Sequence, residues 1–304
     1  MTTYRTNKST DNFTPELVEA LSDLGRFLKV LGPYSRNAVV AGGMVPVIYR
    51  HLQAASAVRQ RPMTTLDLDI AIPGKIRITG DKSISTLISE GGFDRHLRGS
   101  THPPTTVYQH CRHGKELSNI YVELLTPLEG SDTAKDGSRK IQEEIQTSVT
   151  AQYIRYLDLL LIDPISVPCE AVPNLGITDP DIELRIPTPG MYIVQKVLCR
   201  ASRRANKKDK DLAYIYDVVS LFRKDWKQIG EAILKQSTAN RNYQRWIDTA
   251  LKSLTQLFDS PVSDGPVAVV REISTAAIGV PPSEFAVYQV MTAFLKDSNI
   301  LTNK

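Results

Sequence analysis

Apolar and polar positions in the first quarter of the chain change period twice. Thr14-Pro15 reads as an N-cap followed by a proline at the first helical position, and Leu17, Val18, Leu21, Leu24, Leu28 and Leu31 then recur at helical spacing until Gly32-Pro33 stops them. NAVVAGG follows, a short apolar strand closed by two glycines. From 44 to about 57, Val47, Ile48 and Leu52 then suit a helix with Pro46 in its first turn. After a polar link the phrase LDLDIAI alternates strictly, with Leu66, Leu68, Ile70 and Ile72 on one face and Asp67, Asp69 and Ala71 on the other. Two carboxylates therefore leave one strand from the same side.

Further along, 83–90 reads as a short helix closed by Gly91-Gly92, and TVYQHCR with SNIYVELL predicts a hairpin whose loop holds Gly114. In its second strand Tyr121, Glu123 and Leu125 share a face opposite Ile120, Val122 and Leu124, so Glu123 points toward the aspartates if the two strands are neighbours. The polar stretch LEGSDTAKDGSRKIQEEIQ is expected to be an exposed excursion, and YIRYLDLLLI and PISVPCEAV to be further strands. Proline-rich RIPTPG marks a boundary, beyond which helical periodicity dominates, with helices expected over 189–204, 210–224, 225–236, 242–258 and 283–296. The expected fold is an α/β (α+β) domain with a mixed β-sheet over residues 1–186, followed by an α-helical C-terminal domain over 187–304.

Composition narrows the class. A hydrophobic fraction of 41% and a charged fraction of 23% are those of a globular protein and exclude a disordered or fibrous chain. The formal charge of +4 is small but uneven, because Arg200, Arg203, Arg204, Lys207, Lys208 and Lys210 crowd together, either to meet phosphate or as a solvated helix end. Three widely spaced cysteines, Cys111, Cys169 and Cys199, fit reduced thiols and a cytoplasmic protein. No uncharged apolar run of about 18 residues is present, so no membrane association is expected.

The chemistry suggested by the pattern is metal-assisted phosphoryl or nucleotidyl transfer. That reaction needs divalent cations to neutralise triphosphate charge, and hard Mg²⁺ or Mn²⁺ takes oxygen ligands, which a strand-borne D-x-D supplies. Asp67 and Asp69 are the expected metal ligands, with Glu123 as a third carboxylate for a second ion or for the acceptor proton. Thr65 precedes them on the same strand, and Gly42-Gly43 would let backbone amides approach the triphosphate with no Cβ in the way. Lys196, Arg200 and Arg203 fall at i, i+4 and i+7, a stripe that faces either phosphate or water. Other motifs fail on spacing. Gly74 and Gly80 are separated by five residues where a P-loop needs four, and Asp81 precedes Lys82. His102, His110, Cys111 and His113 match no zinc module, and Trp226 and Trp246 with Phe222, Leu251, Leu254 and Phe258 read as helical core.

VVAGGMVPVIYRHL followed by TTLDLDIAI resembles the signature of the nucleotidyltransferase superfamily that includes polymerase-β-type enzymes. PTPGMYIVQKVLCRASRRANKKDKDLAYIYDVV is similar to the helical segment of the AbiEii-like and MenT-like toxin nucleotidyltransferases, and the two regions frame roughly residues 35 to 220. The resemblance implies an N-terminal nucleotidyltransferase domain, a helical C-terminal domain, and an NTP such as ATP held between them with Mg²⁺. It implies metal ligation by Asp67 and Asp69, triphosphate contact by Lys196, with Arg200 or Arg204 among the basic residues that follow, and a role for Asp211 in orienting that lysine or assisting the acceptor. It further implies transfer to a tRNA or other RNA 3′ end by a toxin paired with an antitoxin, while the wider superfamily also modifies proteins and small molecules. The alternative is a non-catalytic nucleotide-binding regulatory module. The chain departs from the pattern at Met44, where relatives carry Ser or Thr, at Glu123, where they carry Asp, and at Tyr214, where an acid is often found.

Overall fold

Thr14 starts the first helix as its sequence dictates. In the computed structural model, which describes residues 13–58, 61–63, 65, 67–99, 104–112, 115–201, 203, 205–276 and 278–300, Thr14 Oγ1 accepts from the Leu17 N–H at 3.3 Å and opens α1 (Pro15–Leu31). Expectations placed on Leu66, His102, His113, Gly114 and Arg204 lie outside the described residues. Described residues 13–45 and 65–187 belong to one compact unit, and 46–63 with 188–300 to a second.

The first unit is built on a mixed seven-stranded sheet. Its strands are β1 (Val39–Val40), β2 (Asp67–Ala71), β3 (Phe93–Arg98), β4 (Thr105–Arg112), β5 (Lys115–Pro127), β6 (Gln142–Gln146) and β7 (Val149–Ile154). The order is β1-β2-β5-β4-β3, and β7 joins β5 in parallel while β6 pairs with β7. β2 and β5 run parallel, whereas β4 is antiparallel to both β5 and β3. A small second sheet pairs β8 (Ile165–Val167) with β9 (Leu184–Ile186). Leu17, Leu21, Leu24, Phe27 and Leu28 of α1 are at most 1% exposed, and Phe27 packs edge-on against Phe93 at 5.2 Å. Gly25 permits a close approach: a Cβ at this position would lie 1.7 Å from the Leu175 carbonyl oxygen.

Several expected elements change. The helix expected from 44 to about 57 is α2 (Met44–Tyr49), which ends because His51 and Leu52 donate to Ile48 and Tyr49 in three-residue bonds at 3.0 Å. YIRYLDLLLI does not continue as a strand: Tyr156 takes φ 65°, and Leu157–Leu161 wind into a 3₁₀ turn that buries Leu157, Leu159 and Leu160. PISVPCEAV is extended only through β8, because Pro168 offers no N–H and Cys169–Ala171 turns. The polar excursion instead ends in β6. β3 went unpredicted because only its first residue, Phe93, is buried. Between β2 and β3, α3 (Ile84–Glu90) forms as read.

The second unit contains α4 (Pro189–Arg200), α5 (Ala205–Leu221), α6 (Trp226–Ala239), α7 (Arg241–Leu257), α8 (Asp264–Thr275) and α9 (Glu284–Asp297). α4 stops at Arg200, so Arg203 stands past its end and not on a helical stripe, and α8 was not expected. Trp226, Phe222, Leu251, Leu254 and Phe258 are buried as core. Trp246 is only half-buried, because α7 turns Ile247, Ala250, Leu251 and Leu254 inward and leaves Trp246 on its flank against Tyr243. Residues 46–63 join this unit through Arg50, whose guanidinium grips Asp217 with bonds of 2.8 and 2.7 Å, and through Tyr49, packed edge-on to Tyr192 and Phe222.

Gly25→Ala is expected to cost at least about 2–3 kcal/mol, because its methyl meets backbone, which yields less readily than a side-chain tip. A urea titration checks this as a lower midpoint at unchanged slope. Burial, with Arg50 beside it, lowers the His51 imidazole to about 4. The unfolded chain protonates His51 near pH 6.5 and the folded chain only near 4, so its stabilisation is complete above 6.5 and is lost as pH falls toward 4. Between neutral pH and the mid-fours, His51→Gln should therefore lose about 2–3 kcal/mol less stability than the unaltered protein. Equal losses in the two proteins would assign the acid sensitivity to other groups.

Candidate active site

Alternation along β2 sorts its side chains. Leu68 and Ile70 are 1% and 0% exposed, while Asp67 and Asp69 on the opposite face are half-buried. Parallel pairing sets Asp67 opposite Tyr121 and Asp69 opposite Glu123, and the same parity on β5 buries Val122 and Leu124 behind the sheet. Asp67, Asp69, Tyr121 and Glu123 thus rise from one face of two adjacent strands.

The glycine turn touches this group directly. Gly42 takes φ 62°, and a Cβ there would lie 1.9 Å from Asp69 Oδ2. Only glycine allows both the dihedral and the contact. The Ala41 N–H donates to the Asp69 carbonyl at 2.8 Å, and Thr65 Oγ1 donates to the Asp67 carbonyl at 3.1 Å. Thr65 therefore braces the strand. Gly43 and Met44 are buried, so position 44 contributes packing and no hydroxyl.

Two residues missed in the sequence, Arg98 and Gln152, complete the face. Arg98 Nη1 donates to Asp67 Oδ1 at 3.1 Å while its guanidinium lies 4.5 Å from the Tyr121 ring centre, and Gln152 Nε2 donates to Glu123 Oε2 at 3.1 Å. Strand parity of Tyr121 with Glu123 was legible, but nothing in the sequence tied Arg98 or Gln152 to the carboxylates. Chemically, three carboxylates with oxygen-only donors suit a hard divalent cation. Among the described residues no three His, Cys, Asp or Glu groups stand together at such a site as the side chains lie. Asp67 and Glu123 each accept from one of these side chains, Arg98 and Gln152 respectively.

Lys196 and Asp211 lie in the helical unit, each 3% exposed, with Lys196 Nζ donating to Asp211 Oδ1 at 3.0 Å. The rings of Tyr192 and Tyr214 flank the ammonium at 5.5 and 5.2 Å. Arg203 Nε stands 3.0 Å from Asp211 Oδ2, at ion-pair distance without hydrogen-bond alignment. Arg200 is half-buried, and its Nε is enclosed. Burial raises the Tyr192 phenol well above its usual range, helped by Tyr214 and Asp211, and pushes the Cys199 thiol up to about 11. Lys196 is therefore an interior cation. The three cysteines are buried and form no disulfide, and no helix among the described residues is long and apolar enough to cross a membrane.

A mixed sheet with its carboxylates gathered on one face, followed in sequence by helices, defines an α/β protein with a helical C-terminal region. Residues 19–237 match the nucleotidyltransferase family model, and the chain belongs to that family, which implies a nucleotide substrate. Among solved structures it is similar to an antigenic nucleotidyltransferase-like protein from Paracoccidioides brasiliensis, at 15% identity and a TM-score of 0.42 over 91% of this chain and 98% of that one. No curated protein matches the chain.

Removing one partner of the interior pair should be costly. Asp211→Ala is expected to destabilise by about 3–5 kcal/mol, because it strands the Lys196 charge, whereas the double variant Lys196→Met/Asp211→Leu should lose distinctly less. Chemical unfolding of the three proteins measures the difference. A double variant that loses as much as Asp211→Ala would mean that the two groups do not act as a pair.

Proposed function

We propose that the protein transfers an NMP group from an NTP to an acceptor hydroxyl and releases pyrophosphate, with Asp67, Asp69 and Glu123 as the ligands of Mg²⁺ or Mn²⁺. The observation that carries this reading is the register of β2 against β5, which gathers all three carboxylates on one half-buried face with Gly42 against Asp69. Bound there, the cation would neutralise charge on the triphosphate and on the attacking oxygen. The chain's own residues do the rest. Gly42 leaves room for Asp69 to keep its position, and Thr65 fixes the strand carbonyl between the two aspartates. Gln152, which donates to Glu123, would orient it, and Glu123 would then bind the second ion or accept the acceptor's proton.

For the acceptor, the likeness of the 187–219 segment to AbiEii-like and MenT-like enzymes, together with the basic residues Arg200, Arg203, Lys208 and Lys210, favours an RNA or tRNA 3′ hydroxyl. On the same resemblance, the activity would arrest growth unless an antitoxin protein restrains it. On that resemblance Lys196 and Arg200 would contact the nucleotide phosphates, which for Lys196 requires its interior pair with Asp211 to open, and Asp211 would hold Lys196 until then.

Incubating the protein with labelled NTPs, Mg²⁺ or Mn²⁺ and total RNA should label an RNA species with release of pyrophosphate. Asp67→Asn and Asp69→Asn should abolish the labelling, and Gly42→Ala should reduce it by on the order of 10²-fold through displacement of Asp69. Nucleotide binding without pyrophosphate release across RNA, protein and small-molecule acceptors would point instead to a regulatory nucleotide-binding module. Labelling that survives Asp69→Asn would remove the carboxylates from the mechanism.

A further inference from the structure

Arg98 closes β3 and is the residue that holds Asp67. Its bond to Asp67 uses one guanidinium nitrogen at 3.1 Å, unlike the two-pronged grip of Arg50 on Asp217 in the helical unit. Both side chains are open to solvent, 51% for Arg98 and 39% for Asp67, so the pair adds little to stability. The guanidinium has a second hold that does not involve Asp67, the face of Tyr121 at 4.5 Å, and Tyr121 is the register partner of Asp67. The pairs Arg50–Asp217 and Lys196–Asp211, by contrast, are largely withdrawn from water. The Arg98–Asp67 pair is single, wet and backed by an aromatic shelf, which suits a contact made to be exchanged.

We propose that Arg98 is a positioning residue, the resident counter-ion of Asp67, displaced when a divalent cation binds there and then turned to the triphosphate that accompanies the cation. The inference rests on the reading of Asp67 and Asp69 as cation ligands. A doubly charged ion on the Asp67 carboxylate repels the guanidinium, and the planar fork of an arginine fits phosphate oxygens as well as it fits a carboxylate. Tyr121 keeps the released guanidinium at the site. Cation and nucleotide binding are thereby coupled: the cation alone competes with Arg98, whereas cation and triphosphate together give Arg98 a new partner.

Mn²⁺ titration followed by the free-ion electron paramagnetic resonance signal tests this in the full chain, with and without a non-hydrolysable ATP analogue. Without nucleotide, Arg98→Met should bind Mn²⁺ about two- to five-fold more tightly than the unaltered protein, a gap that narrows at high salt. With the analogue the order should reverse, Arg98→Met holding the analogue more weakly and Arg98→Lys falling between. A purely structural Arg98 would lower Mn²⁺ affinity when removed, and unchanged thermal midpoints show that the variants keep the fold. Equal or weaker Mn²⁺ binding by Arg98→Met overturns the proposal. If Asp69→Asn abolishes Mn²⁺ binding while Arg98→Met matches the unaltered protein, the cation site stands and only the exchange falls. If Asp69→Asn binds Mn²⁺ undiminished, the cation site falls and takes the exchange with it.

Discussion

The parallel pairing of β2 with β5 is the constraint on which the candidate site depends. It sets Asp69 beside Glu123 and Asp67 beside Tyr121, and a slip of one residue would turn every one of these side chains to the other face. What prevents the slip lies behind the sheet. Leu68, Ile70, Val122 and Leu124 are at most 1% exposed, and each contributes about 1.5–3 kcal/mol by staying out of water. The carboxylates are thus aligned by residues with no chemistry of their own, and Gly42 adds the local condition that nothing larger than hydrogen may stand against Asp69.

Where burial and periodicity coincide, the sequence was readable. α1 announced itself through Thr14, Pro15 and a leucine stripe, and the D-x-D strand through strict alternation, because in both the solvent boundary follows the element's own repeat. Reading failed where tertiary contacts override the local pattern. β3 exposes Asp94, Arg95, Leu97 and Arg98, so its extended form comes from pairing with β4 and not from an apolar face. The leucine run at 157–161 looked like a strand, but Tyr156 in the left-handed region redirects it into a 3₁₀ turn. The same limit hid Arg98 and Gln152. Their link to the carboxylates exists only across strands, through a register that no single stretch of sequence encodes.

Two kinds of ion pair serve different ends. In the helical unit Arg50–Asp217 and Lys196–Asp211 are largely withdrawn from water, with side-chain exposures between 4% and 15%. Such pairs return little net stability, since desolvation consumes most of the attraction, but they penalise any packing that separates the partners. In the sheet unit the Arg98–Asp67 pair is exposed and singly bonded, and separating it costs little. One kind of ion pair specifies an arrangement, and the other permits change.

Arg50 and Asp217 stand 167 residues apart in sequence, and that separation bears on how the protein is made. As the chain emerges from the ribosome, residues 46–63 appear early, yet the surroundings that accept Arg50 and the ring of Tyr49 exist only after α4 and α5 have been synthesised. Until then a guanidinium and an aromatic ring destined for the interior remain in water. A gene fragment cut at the proline-rich 186–190 segment would therefore encode a chain with an orphaned arginine and an uncovered tyrosine, and not a smaller working domain. Isolating the sheet would require excising 46–63 and bridging Val45 to Thr64 by a designed connection.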